Sequence, residues 1–243
     1  MFTKRSFITL ASLATAMVAH AGSIQILSSS SSQLAATNGG SDSLTQPTFA
    51  PGYTDAYSSY FSGSSSAVGT SENSVDFDGT TLTGYSQVAS NASAAKNGTA
   101  FANSTSSHEV TFKLTAKSNV SYGLNANAST SLVQKKTGAA TATSSSTATL
   151  YFLGNSGWET VKTVSNIDSY SENVVWGQGT YKLEVTSTAD STVSGGSANA
   201  ALATSYSYGY GAYSITATAV PEPTSMAVLA CGAVALLRRR KKA

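Results

Sequence analysis

The chain has 243 residues, a length that suits one all-β domain, and charged residues make up 11% of it, against about 25% in an average soluble domain. Serine, threonine, alanine, glycine and asparagine are abundant instead, so its polar surface rests on hydroxyls and amides. Terminal segments contain seven of the 14 basic residues and one of the 12 acidic ones, which leaves the body with 7 − 11 = −4 charges and excludes nucleic acid as a natural partner.

The N-terminus has the order of a secretory signal peptide. It begins with two basic residues, Lys4 and Arg5. Residues 7–18 then form an apolar stretch, and Ala19 and Ala21 frame a cleavage site of the kind that signal peptidases require. We therefore expect residues 1–21 to be a signal peptide that is removed during export.

The body, residues 22–219, begins with little regular pattern. Serines at residues 28–32, 58–59 and 64–66 interrupt brief apolar pieces. Low hydrophobicity of this kind is typical of loops and linkers. The sequence therefore predicts that the first third is partly loop or disordered.

From residue 110 onward, apolar and polar side chains alternate with period two, over residues 110–116, 120–124 and 181–185. Ser118 and Asn119 separate the first two runs and indicate a hairpin or bend. Further strands are expected over residues 147–153, 158–164, 173–176 and 213–219. Several short strands at this spacing predict an all-β body folded as an antiparallel β-sandwich.

Three tyrosines recur at alternate positions near the end of the body. Tyr206, Tyr208 and Tyr210 share one face of a strand, whereas Tyr213 has the opposite parity, so a turn or bulge is expected over residues 209–212. A row of flat rings can stack on sugars, which makes these residues a candidate carbohydrate-binding site. Aromatic packing between strands explains the same row and is the favoured interpretation of it.

No set of residues in the body specifies a reaction. Its single histidine, His108, excludes a multi-histidine metal site or a histidine-based triad and is expected at a solvent-facing strand edge. Cys231, the only cysteine, lies outside the body. Asp76 to Gly79 resembles part of a calcium loop but lacks the later ligands, so a turn is predicted. We expect no catalytic residue, metal or cofactor, and no enzyme activity.

Threonines at positions 141, 143, 147 and 149 form T-x-T steps of the kind found on ice-binding surfaces. No regular repeat in the sequence arranges these steps in a flat array. Ice binding is therefore one of the less favoured alternatives for the body.

The C-terminus combines three features. Pro221, Glu222 and Pro223 must end the preceding strand, because proline lacks an amide proton and fixes φ. The apolar run over residues 226–237 reaches about 18 Å as a helix, short of the ~30 Å hydrocarbon core of a membrane. A basic cluster follows and favours the cytoplasmic face: Arg238, Arg239, Arg240, Lys241 and Lys242.

Residues 220–243 resemble the PEP-CTERM sorting signal of Gram-negative bacteria. The resemblance implies that an exosortase recognises Pro221 to Pro223 and removes the helix, often in organisms that make exopolysaccharide. It also implies transient anchoring in the inner membrane, followed by delivery to the cell surface or extracellular matrix.

Several functions remain open for the body. The leading hypothesis is a non-catalytic protein of the envelope or extracellular matrix that associates with exopolysaccharide. A carbohydrate-binding module is the first alternative, followed by an ice-binding protein and a glycan hydrolase.

Overall fold

The computed structural model describes residues 24–38, 40–46, 52–62, 65–135, 138–196 and 202–220. These residues form twelve β-strands and no helix. The strands are β1 (Ile24–Thr37), β2 (Gly40–Gln46), β3 (Gly52–Ser62), β4 (Ser65–Phe77), β5 (Thr81–Ala94), β6 (Thr99–Leu114), β7 (Ser118–Lys135), β8 (Ala139–Gly154), β9 (Gly157–Ser165), β10 (Asp168–Trp176), β11 (Gly179–Ser194) and β12 (Leu202–Ala219).

The strands form two six-stranded antiparallel sheets that face each other. The first sheet has the order β2-β1-β6-β11-β8-β9, and the second has the order β10-β7-β12-β5-β4-β3. Hydrogen bonds join the two layers, as between the Ser71 hydroxyl on β4 and the Thr105 carbonyl on β6, 2.7 Å apart. The predicted all-β fold, an antiparallel β-sandwich, is confirmed.

Every strand predicted from residue 110 onward overlaps a strand of the structure, and all but the first lie within a longer one. Residues 181–185, for example, occupy the first half of β11. The run over residues 110–116 extends two residues past the end of β6 at Leu114. The connection over residues 115–117 passes from β6 in the first sheet to β7 in the second. It is therefore a bend that crosses between the sheets rather than a hairpin, and Ser118 and Asn119 already belong to β7.

Large apolar side chains fill one half of the sandwich, which we call the apolar half. Leu183 on β11 is fully buried between its cross-strand partners Val110 and Leu150, which are also fully buried. From the second sheet, Leu82 and Ile215 complete this core. Most of the hydrophobic stabilisation of the fold therefore comes from this half.

Serines fill the other half together with a cluster of small apolar side chains, mostly alanine, and we call it the serine half. The serine hydroxyls donate to backbone carbonyls of the opposite sheet, as from Ser90 to Ala189 (2.8 Å) and from Ser191 to Ser90 (2.9 Å). Because serine is short, the sheets approach closely here. The Cα atoms of β11 come within 8 Å of those of β5 and β12, whereas packed sheets usually lie about 10 Å apart.

The first third of the body differs from its expected loop-rich character wherever the structure describes it. Serines 28–32 lie in β1, which pairs with β6 along its length. Ser58 and Ser59 lie in β3, and residues 65 and 66 begin β4. Cross-strand backbone hydrogen bonds and the contacts of the serine half stabilise these segments without large apolar side chains.

Strand β12 is continuous, so the expected turn or bulge over residues 209–212 is wrong. Its register with both β5 and β7 runs unbroken through these residues. Gly209 and Gly211 face the interior together with Tyr213, and the parity of the strand never changes. A Cβ atom on Gly209 would lie 2.9 Å from the Ser145 carbonyl oxygen, so glycine is required where the sheets are closest.

Candidate functional site

The predicted processing residues lie outside the described part of the chain. They are Ala19, Ala21, Pro221, Glu222, Pro223 and the basic cluster at residues 238–242. The last described residue, Val220, still donates its amide to the Lys117 carbonyl, 2.9 Å away. Strand pairing therefore continues up to the residue before Pro221. Among the described residues there is no helix able to cross a membrane.

Tyr206, Tyr208 and Tyr210 all point outward from β12, near the middle of the second sheet. The residues between them, Ser207 and Gly209, face the interior. This alternation is the normal pleat of a strand and places three rings on one solvent-facing surface. Tyr206 is the most exposed of the three, at 40%.

Neighbouring strands add three tyrosines that the sequence did not point to. Tyr85 on β5 stacks on Tyr210, with ring centroids 5.9 Å apart and planes 27° from parallel. Tyr53 and Tyr57 lie outward on the edge strand β3, with more than half of their surface exposed. The even spacing of Tyr53 and Tyr57 was their only signal, and it fell in the segment expected to be loop.

Polar side chains lie between these rings. One row across the sheet pairs, in order, Asp55, Glu72, Gln87, Tyr210 and Asn127. The Tyr208 hydroxyl donates to the Gln87 side-chain carbonyl at 3.4 Å. We call this surface the tyrosine face and define it by Tyr53, Tyr57, Tyr85, Tyr206, Tyr208 and Tyr210 with Asp55, Glu72, Gln87, Asn91 and Asn127.

The Glu72 carboxylate affects three of these tyrosines. Partial burial, followed by the nearby Glu72 carboxylate, raises the pKa of Tyr53 to about 12. The same two causes raise the pKa of Tyr85, and burial together with Tyr210, Tyr206 and Glu72 raises that of Tyr208. These phenols are therefore neutral hydrogen-bond donors over the physiological pH range.

The tyrosine face has the chemistry of a sugar-binding surface. Aromatic rings present apolar faces on which the C–H side of a sugar can stack. Amide and carboxylate groups beside the rings can accept or donate hydrogen bonds to hydroxyls, which supplies specificity. The rings extend over the strands β3, β5 and β12.

His108 is buried, so its expected position at a solvent-facing strand edge is wrong. It lies on β6, a strand inside the first sheet, and is 1% exposed. Its Nε2 lies 2.8 Å from the Tyr213 hydroxyl of the second sheet. Burial lowers the pKa of His108 to about 4 and raises that of Tyr213. This pair joins the two layers and has no access to a substrate.

The outer face of the first sheet carries an aromatic and charged group around Lys182, which we call the Lys182 cluster. The Lys182 ammonium lies 4.7 Å from the centre of the Tyr151 ring and 5.4 Å from that of Trp158. It also lies 3.3 Å from Glu109 and 3.7 Å from Glu184. Outside this cluster, Lys162 on β9 lies 3.9 Å above the ring of Tyr170 on β10 of the second sheet. The Tyr170 hydroxyl donates to Glu172.

Of the T-x-T threonines, Thr147 belongs to a hydroxyl surface on the outer face of the first sheet, whereas Thr143 and Thr149 lie in register with the charged residues that flank it. Thr147 and Ser145 of β8 lie in register with Thr186 and Thr188 of β11, and these in turn with Ser107 and Thr105 of β6. Rows that contain charged residues flank these two rows on either side, at Glu184 and Asp190. The sequence did not anticipate this alignment, because it arises from strand pairing rather than from a repeat.

The Asp76 to Gly79 motif forms the β4–β5 turn. One oxygen of Asp78 accepts hydrogen bonds from the Thr80 amide, the Thr80 hydroxyl and the Thr81 amide. These bonds lower the pKa of Asp78 and hold the turn in place. Across the described residues, no group of three or more potential metal ligands occurs.

Comparison with known proteins gives little guidance. No protein-family model matches the sequence, and no curated protein matches it. Among solved structures, the chain is similar to a structure of infectious bursal disease virus, Gx strain, with 13% identity and a TM-score of 0.16, over 86% of this chain and 67% of that one. A TM-score this low establishes no common fold, and no functional inference is drawn from it.

Proposed function

We propose that this protein is a non-catalytic component of a bacterial cell surface or extracellular matrix that binds polysaccharide through its tyrosine face. The observation that carries the proposal is the grouping of six outward tyrosines with amide and carboxylate side chains on one sheet. Aromatic side chains grouped on one exposed surface are typical of interaction sites. Stacking combined with polar side groups suits a sugar polymer.

The terminal segments support delivery to that location. Signal peptidase cleaves after Ala21. Because residues 220–243 resemble PEP-CTERM tails, an exosortase then recognises Pro221, Glu222 and Pro223. Before that step, residues 226–237 and the basic cluster anchor the protein in the inner membrane. After both cleavages, the processed protein stays in the exopolysaccharide of the cell surface or extracellular matrix.

The position of the tyrosine face in the fold suits this arrangement. The body leaves β12 at Val220, and Tyr206 lies 14 residues earlier on the same continuous strand. At about 3.3 Å per residue, the two residues lie roughly 46 Å apart. This distance is long enough for a protein anchored through its tail to hold Tyr206 clear of the membrane surface, where polysaccharide is found.

A hydrolase is a weaker proposal for the same body. Asp55 and Glu72 are one of the two direct cross-strand carboxylate pairs among the described residues, and Glu109 and Glu184 are the other. The Lys182 ammonium lies against both Glu109 and Glu184, in the place that a glycosidic oxygen has to take between an acid and a nucleophile.

Retention on the host's own extracellular polysaccharide tests the proposal. Full-length protein carrying Tyr206→Ala, Tyr208→Ala and Tyr210→Ala is compared with a control that carries Thr141→Ala, Thr143→Ala and Thr147→Ala on the opposite outer face. We expect at least about a tenfold loss of affinity for the tyrosine variant, because truncated aromatic anchors typically cost more than 1 kcal/mol each. The threonine variant should bind like the wild type. Full retention by a folded tyrosine variant contradicts the proposal.

A further inference from the structure

Two carboxylates of the tyrosine face lie in a position that the fold alone does not explain. Asp55 on β3 and Glu72 on β4 are direct cross-strand partners, and both point outward. Like charges placed directly opposite each other destabilise a pair of strands. A binding partner that carries positive charge removes this penalty, so the pair indicates which ligand the surface accepts.

No basic residue of the sheet lies close enough in register to neutralise this pair. The row of Asp55 and Glu72 continues with Gln87, Tyr210 and Asn127. The two flanking rows consist of Tyr53, Ser74, Tyr85, Ala212 and Asn125 on one side and Tyr57, Thr70, Ala89, Tyr208 and Ser129 on the other. These fifteen positions hold aromatic, amide, hydroxyl, alanine and carboxylate side chains, and none is Lys or Arg.

The Lys182 cluster shows what completes such an arrangement. Glu109 and Glu184 are also direct cross-strand partners with aromatic rings beside them. There the Lys182 ammonium lies 3.3 Å and 3.7 Å from the two carboxylates and 4.7 Å from the ring of Tyr151. The tyrosine face repeats the carboxylate pair and the rings but contains no ammonium in the rows around Glu72.

We propose that the tyrosine face recognises a protonated amine of its ligand beside Glu72, and that the polysaccharide is therefore a hexosamine polymer with free amino groups. This inference rests on the proposed function and names its ligand class. An ammonium gains both from the faces of Tyr53 and Tyr85 and from charge-assisted hydrogen bonds to the carboxylates. Uronic acid polymers are repelled by the same pair.

Binding of two oligosaccharides that differ only in N-acetylation tests the inference. The probes are glucosamine oligomers of equal length, one fully N-acetylated and one fully de-N-acetylated, titrated calorimetrically into full-length protein with a chelator present. We expect the free-amine oligomer to bind at least about tenfold more tightly, the size of one charge-assisted contact. Glu72→Gln should abolish this preference, whereas Asp190→Asn on the opposite face should leave it intact.

The outcomes separate the two proposals. Equal affinity of the wild type for both oligomers, a preference that survives in folded Glu72→Gln, or binding that appears only when the chelator is replaced by calcium overturns the amine inference. If glycan binding in that case still depends on Tyr206, Tyr208 and Tyr210, the proposed function remains supported. If the wild type binds neither oligomer nor the host polysaccharide, both proposals fail. Glu72→Gln keeps the side-chain shape and relieves like-charge repulsion, so its melting temperature should equal or exceed that of the wild type.

Discussion

The Nε2 atom of His108 on β6 lies 2.8 Å from the hydroxyl of Tyr213 on β12, so this buried polar contact joins one middle strand of the first sheet to one of the second. Their rings are also stacked, with centroids 5.8 Å apart. The pair lies between the apolar half and the serine half. Among the described residues, no partner bonds to the other ring nitrogen of His108, so Tyr213 supplies the hydrogen bond that this buried ring has.

Replacement of Tyr213 by Phe removes that bond and leaves a buried imidazole without a partner. We expect a loss of about 1 to 3 kcal/mol in the free energy of unfolding, because an unsatisfied buried polar group costs its full desolvation. Urea denaturation measures it. Tyr206→Phe, which changes an exposed hydroxyl, is the control and should shift the free energy by less than about 0.5 kcal/mol. Equal stability of the two variants contradicts the assigned role of the pair.

Stability should decrease as the pH falls, in a window set by His108. Burial lowers its pKa from 6.5 to about 4 in the folded state. Between these pH values the unfolded chain binds the proton and the folded chain does not. The free energy of unfolding therefore rises with pH, and this rise is complete above pH 6.5. The change is on the order of 3 kcal/mol.

The pH effect is measured by denaturant unfolding at several pH values between 4 and 7. His108→Gln, which cannot take up a proton, should show a much shallower slope in this window. Asp78 and Glu172, whose pKa values are lowered by hydrogen bonds, act in the same direction at lower pH, because they bind protons more weakly in the folded state. A wild-type profile as flat as that of His108→Gln would rule out the burial of a neutral histidine.

The close approach of the sheets in the serine half can be tested at glycine positions. A Cβ atom at Gly209 would lie 2.9 Å from the Ser145 oxygen and 3.1 Å from the Thr188 oxygen. Gly209→Ala should therefore destabilise the protein by about 1 to 3 kcal/mol through overpacking. At Gly123 on β7 the nearest atom is 3.7 Å away, so Gly123→Ala should be neutral or slightly stabilising. Thermal melting of both variants decides whether the sheets lie this close.

The sequence predicted the apolar half well and the serine half poorly, for one physical reason. Val110, Phe112 and Leu114 contrast strongly with the polar residues between them, so their alternation reveals both the strand and its buried face. In β1 and β4, serine or another small residue lies on both faces, and hydropathy does not distinguish inside from outside. Their burial follows from hydrogen bonds to the opposite sheet, as from Gln33 on β1 and Ser71 on β4, which only the pairing of distant strands creates.

The tyrosine face was predictable only in part for a similar reason. Tyr206, Tyr208 and Tyr210 lie on one strand, and their spacing shows that they share a face. Tyr85 joins them through pairing between β5 and β12, more than 100 residues along the chain. Such neighbours depend on topology, which alternation does not specify. The opposite parity of Tyr213 requires no turn, because Tyr213 is an inward residue of the same continuous strand, in line with the small inward residues Gly209 and Gly211.

The sorting tail should act in processing and contribute little to the fold. The last described residue, Val220, completes the hydrogen bonding of β12, and proline cannot join an interior strand. Replacement of Pro221, Glu222 and Pro223 by Ala should leave the body folded but keep the protein in the inner membrane. Membrane fractionation and intact mass in a host with an exosortase measure this. Identical fractionation of mutant and wild type at the mass of residues 22–243 would show a permanent anchor instead.

The affinity of a Tyr85→Ala, Tyr210→Ala double variant for the host's extracellular polysaccharide tests the central claim most directly. These two rings stack on each other from different strands. Both contribute to polysaccharide affinity only if the outer surface of the second sheet is one binding site. The account predicts a loss of at least about tenfold for the folded double variant, with no change for Tyr151→Ala on the first sheet. Wild-type affinity in the double variant, or an equal loss in Tyr151→Ala, would contradict the claim that the tyrosine face binds polysaccharide.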